Sequence, residues 1–216
     1  MKTQFLLVAS FLTGCIAYAQ GNPDAGQDKI KMIAFSPSKE TKNVNGLLIK
    51  YFDEIDHEIN PKQVNGLGLG LNALGVFFPV LMLVNIGTID NWAINDIDTE
   101  SLPPEMNKIN GMQLSLVNME PTVTNGLEVS LSSNLSAPLV INGVAISPLY
   151  NFHHTSSGVA ISTFANVSAR CRGVQIALVN SCKDSKGIQL GFWNVNEKRK
   201  LPLINWNFKA KKKPVL

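Results

Sequence analysis

The feature that most constrains this chain is a short unit repeated through its C-terminal half. The unit reads NGMQLSLVN from Asn110 to Asn118, RGVQIALVN from Arg172 to Asn180 and KGIQLGFWN from Lys186 to Asn194. Looser copies begin at Asn125, Asn142 and Ser157, and earlier ones at Asn65 and, in degenerate form, Asn45. Gly111, Gly126, Gly143, Gly158, Gly173 and Gly187 are separated by 15, 17, 15, 15 and 14 residues, so the period is about fifteen. Gly66 marks the same position in an earlier copy, and the 45 residues between it and Gly111 equal three nominal periods, which predicts degenerate units in that interval.

After each glycine the residues alternate in size and polarity, as in Val174, Ile176 and Leu178 against Gln175, Ala177 and Val179. This period-two signature predicts a strand with one large-apolar face and one small or polar face. The Asn-Gly pairs supply the positive φ angles of tight turns, and Lys183 to Lys186 has the composition of a polar connector. Two all-β architectures fit a repeat-built sheet of such units. In a β-solenoid each unit is one coil, glycine stacks on glycine, Asn118, Asn180 and Asn194 form an amide ladder, and the alternating apolar residues fill a narrow core. In an antiparallel meander or barrel the Asn-Gly pairs are hairpin turns. The even spacing favours the solenoid-like stack.

Composition supports a turn-rich β chain: charged residues are only 16% and hydrophobic residues 45%, which argues against disorder and against long soluble helices. Lys2 followed by the uncharged run Phe5 to Gly14 reads as an export signal. Ala17-Tyr18-Ala19 is a cleavage site that makes residues 1–19 the signal peptide; the alternative is a lipoprotein signal over residues 1–14, with lipidation at Cys15. The remainder is expected to form one β-repeat domain over residues 20–208, with its clearest repeats at 109–208, followed by a basic tail at 209–216. The segment Gln63 to Ile89 has no charged residue, yet Gly68, Gly70, Gly75 and Pro79 weaken a long helix there, favouring a buried strand-turn-strand or a short core helix over a membrane span.

Export permits a disulfide between Cys171 and Cys182. An extended strand over Val174 to Asn180 would hold the two more than about 20 Å apart, whereas bridging needs Cα atoms within about 7 Å, so free thiols are expected.

The strings GVQIALVN and GIQLGFWN, followed by LPLINWNF at Leu201 to Phe208, resemble a family of bacterial exported surface-repeat proteins whose unit reads Gly-Leu-Gln-Ile-Gly-Leu-x-Asn. The likeness covers about Ile109 to Phe208. It implies an exported envelope or surface protein of unassigned activity and brings no catalytic residue. The units from Asn125 to Asn166 depart from the pattern by lacking the Gln.

The chemistry-bearing residues do not converge into a known motif. The acidic cluster Asp53, Glu54, Asp56, His57 and Glu58 reads as a solvated loop. Asp90, Asp96, Asp98 and Glu100 lack the glycine and closing glutamate of a calcium loop. His153 and His154 read as a loop between units, Gly66 to Gly70 as packing, and Trp92, Trp193 and Trp206 as half-buried aromatics. The expectation is therefore a non-enzymatic exported envelope or surface protein, with a repeat-built binding or structural surface and no catalytic residue, metal or cofactor. Its partner would be an envelope protein, a glycan or the membrane, and not nucleic acid. The alternatives are an outer-membrane-embedded β-barrel, suggested by low charge and the aromatic closing strand, and an envelope enzyme built on Asp53 to Glu58 or His153.

Overall fold

The computed structural model describes residues 30–36, 42–50, 62–71, 102–118, 120–133 and 139–208. These residues form ten strands: β1 (Ile30–Ser36), β2 (Asn43–Lys50), β3 (Gln63–Gly70), β4 (Asn107–Asn118), β5 (Thr122–Ser133), β6 (Leu139–Ser147), β7 (Tyr150–Ser162), β8 (Ala165–Ile176), β9 (Val179–Val195) and β10 (Lys200–Asn207). No helix occurs among the described residues. The strands make one sheet in chain order. Each pair from β1/β2 to β8/β9 is parallel, and only β10 turns back antiparallel on β9.

Parallel neighbours normally need a crossover of a dozen or more residues to return the chain to its starting end. Here Asn110 pairs with Asn125, Gly158 with Gly173 and Gly173 with Gly187, so the return is completed within a single repeat. The strand itself must bend back. The result is a β-solenoid of about seven turns and not a barrel. The Asn-Gly pairs are consequently not hairpin turns; they sit inside strands, and each glycine bends its coil. Gly173 has φ +135°, and a Cβ built on it would lie 2.0 Å from the carbonyl oxygen of Gly158 in the coil below. Only glycine tolerates both the angle and the contact. Gly66, Gly111, Gly126, Gly143, Gly158 and Gly187 share the positive φ and stack in register with it.

The alternation after the glycine is real, but its polarity is the reverse of the expected one. Gln175 and Ala177 are buried, whereas Ile176 and Leu178 are 39% and 51% exposed. A coil of about fifteen residues encloses too narrow a space for large aliphatic side chains from both walls, so small and amide side chains occupy much of it. Apolar packing is concentrated in small clusters: Ala34, Val44, Leu48, Val64 and Ile109 at the N-terminal end, Ile141, Ala145 and Ala160 in the middle, and Tyr150, Phe152, Ala165 and Val167 beside them.

Toward the C-terminus amides replace hydrocarbon. Asn151 donates to Asn166, Asn166 to Asn180 and Asn180 to Asn194, each at 2.9 Å. The second proton of each donating amide goes to a strand carbonyl, at Ile161, Ile176 and Leu190 respectively, again at 2.9 Å. Buried polar groups are tolerated only when paired in this way. Asn118 was expected in the same ladder. It stands in register with Ser133, and its buried Nδ2 has no hydrogen-bond partner among the described residues. A second ladder lies outside: Asn65 donates to Asn45, Asn110 to Asn65, Asn125 to Asn110 and Asn142 to Asn125, at 2.7–2.8 Å.

Four further expectations are corrected. Lys183 to Lys186 is not a connector but part of β9, because the second wall of the coil is also strand. His153 and His154 are not in a loop; they lie in β7 and are buried. Gly66 pairs directly with Gly111, so no degenerate unit is stacked between them. The strand read as continuous from Val174 to Asn180 breaks after Ile176 and resumes at Val179. That break brings Cys171 and Cys182 face to face, and they form a disulfide with Cα atoms 6.3 Å apart.

Candidate functional site

The large apolar residue after each glycine belongs to an outer column running across the whole sheet. Register aligns Ile33, Leu47, Leu67, Met112, Leu127, Val144, Val159, Val174, Ile188 and Trp206. Two residues further along each strand, on the same face, a second column aligns Phe35, Ile49, Leu69, Leu114, Val129, Ile146, Ile161, Ile176, Leu190 and Ile204. Side chains two apart on a strand share a face, so the columns form one surface. No charged residue falls in either column. Ile146, Ile161 and Ile176 in the middle of the face are 38%, 36% and 39% exposed. Near the C-terminal end Leu178, Phe192 and Trp193 add apolar area, with Phe192 74% exposed.

The face is held rigid from below. Its strands β1 to β9 share eight parallel neighbour pairings, and the residues between the outward ones stack inside. Gln189 donates to Gln175 at 2.9 Å within that inner column. On the glycine side the face is bordered by the outer asparagine ladder, which continues through Ser157 to Arg172 and Lys186. Arg172 is tied to Asp184 at 2.5 Å. At the last strand Arg199 stacks on the Trp206 ring, 4.5 Å from its centroid.

Among the described residues, those with catalytic chemistry are not assembled into a set. His153 Nε2 lies 3.8 Å from Glu128 Oε2, both side chains being buried, without a hydrogen bond between them. Among the described residues no group of three or more His, Cys, Asp or Glu side chains could hold a metal ion. An open hollow of about 330 Å³ near the starts of β2, β3 and β4 is lined by Lys42, Lys62, Lys108 and Glu105 with neighbouring polar residues.

Trp193 and Trp206 lie on the outer surface, and Gly66 to Gly70 opens in β3, where Gly66 stacks between Gly46 and Gly111. Cys15, the signal at 1–19, the acidic cluster Asp53 to Glu58, the carboxylates Asp90 to Glu100, Trp92 and the basic tail lie outside the described residues. Sequence reading noted the outward residues individually and placed them in the core. Their recurrence at a fixed step from each repeat glycine was the signal for the face. Comparison with family models, with curated protein sequences and with solved structures gives no significant match.

Proposed function

We propose that this chain is an exported, non-enzymatic envelope or surface protein whose stacked coils hold a flat aliphatic face against a macromolecular partner. The observation that carries this reading is the pair of uncharged aliphatic columns spanning all ten strands on the outside of the sheet. Isolated apolar residues on a surface are ordinary, but a contiguous face of this extent marks an interaction site. Repeat arrays generate such extended faces by construction. The N-terminal signal pattern and the resemblance of the repeat unit to bacterial surface repeats support the compartment.

The test is fractionation combined with thiol labelling in intact cells. Ile161→Cys on the face and Lys108→Cys off it are expressed in a Cys15→Ser background and exposed to a membrane-impermeant maleimide. The expected result is a chain in the envelope fraction whose thiol at 161 reacts several-fold more slowly than the thiol at 108. A cytoplasmic chain, or equal labelling of the two positions, overturns the reading.

A further inference from the structure

Resting on that reading, we infer that the partner on the aliphatic face is a second copy of this chain, packed face to face. The dimensions fit. Ten strands give nine steps of ~4.8 Å, a length of about 43 Å, and two outward positions ~7 Å apart with their side-chain margins give a width of roughly 14 Å. The resulting area of about 600 Å² per copy reaches the lower end of the ~600–1,000 Å² that each partner contributes to a standard-size interface.

Charge distribution selects among the occupants. Neither column contains a charged residue, and Arg199, which stacks on Trp206, lies at the last strand, so over the rest of the face two copies can meet without like-charge repulsion or a buried unpaired ion. An anionic membrane surface would be read by a basic border. Along most of the glycine side this border is instead the neutral amide row from Asn45 to Asn142. The columns also repeat at a constant interstrand step. Two identical faces therefore match each other rung for rung, as the inner faces of packed sheets do when they interdigitate about 10 Å apart. A two-fold axis through the middle of the face makes the interface isologous, with Val129 and Ile146 near the partner's equivalents.

The experiment uses the full chain purified from the envelope fraction, with mass measured by light scattering after size exclusion. The expected mass is twice that of one chain, falling to one chain for Ile146→Lys with the thermal midpoint nearly unchanged. Ile176→Ser is a milder variant and is expected to raise the dimer dissociation constant by at least tenfold. Independently, Ile146→Cys in the Cys15→Ser background is expected to give a dimer-sized band with a short bismaleimide, which Lys108→Cys does not. A monomeric wild-type chain overturns the inference. If the thiol of Ile146→Cys is then protected in solution, the chain covers its own face; if that thiol is reactive in solution and protected only in cells, the docking reading stands with a different partner. A dimer that survives both Ile146→Lys and Ile176→Ser, or cross-links only at 108, also overturns it.

Discussion

Gly173 lies so close over Gly158 that a methyl group on it would sit 2.0 Å from the Gly158 carbonyl oxygen. The contact is backbone against backbone, so no side chain can move aside to relieve it. Gly173→Ala is therefore expected to destabilise the fold by about 3 kcal/mol or more, combining a strained positive φ with displacement of a neighbouring coil. Lys186→Ala, at an exposed position one coil on, is expected to change stability by less than ~0.5 kcal/mol. Denaturant melts of the two variants make the comparison, and equal effects would remove the stacking role assigned to Gly173.

The repeat was legible because it is a property of the backbone: a glycine needed at each bend recurs wherever the coil recurs, and the spacing from Gly111 to Gly187 therefore reports the stack directly. The direction of the side chains was not. Period-two alternation separates Ile176 from Gln175 but contains nothing about which wall faces inward, and assigning the larger hydrophobe to the core fails when the enclosed space is narrow. The overlooked signal was the amide itself. Gln175 and Gln189 occupy equivalent repeat positions, as do Asn166, Asn180 and Asn194, and stacked inside the coil they pair with one another and with strand carbonyls. The disulfide was missed for a related reason, since Cys171 and Cys182 are distant along an extended strand and close across a coil.

Inside and outside can be distinguished by one pair of neighbours. Gln175→Ala removes the acceptor for Gln189 and the donor to Ser168 from a buried site, and is expected to cost about 2 kcal/mol. Ile176→Ser removes a larger hydrophobe from a partly exposed site. It is expected to cost no more than about 1 kcal/mol when measured on the dissociated chain, by urea denaturation at low protein concentration. A larger loss at 176 than at 175 would reverse the assignment of the two faces.

The bond between Cys171 and Cys182, at a sequence separation of 11, closes a short loop around one bend of the coil. Loops of that size contribute about 2–3 kcal/mol, largely by restricting the unfolded chain. Reduction is expected to lower the denaturation midpoint accordingly while leaving the far-ultraviolet circular dichroism of the folded sheet unchanged. The double variant Cys171→Ser/Cys182→Ser should then be insensitive to reductant, and a wild-type chain equally insensitive would show that the bridge does not constrain the fold.

Tyr150 gives the clearest pH dependence. Its ring is buried against Phe152 and Phe164, with centroids 5.9 and 5.6 Å away, and its hydroxyl has no hydrogen-bond partner among the described residues. Burial pushes its pKa above the usual tyrosine value of about 10, because the phenolate would lose its hydration. The folded chain therefore holds this proton at pH values where the unfolded chain releases it. The tyrosine makes no differential contribution below the unfolded pKa, and stability falls as pH rises above it. Tyr150→Phe removes an unpaired buried hydroxyl while keeping the aromatic contacts. At neutral pH the variant is expected to be as stable as the parent or more stable by up to about 1 kcal/mol, with a margin that widens above pH ~10. Urea midpoints measured for both proteins between neutral pH and alkali check this, and parallel loss of stability in the two would mean that Tyr150 ionises as freely in the fold as in the unfolded chain.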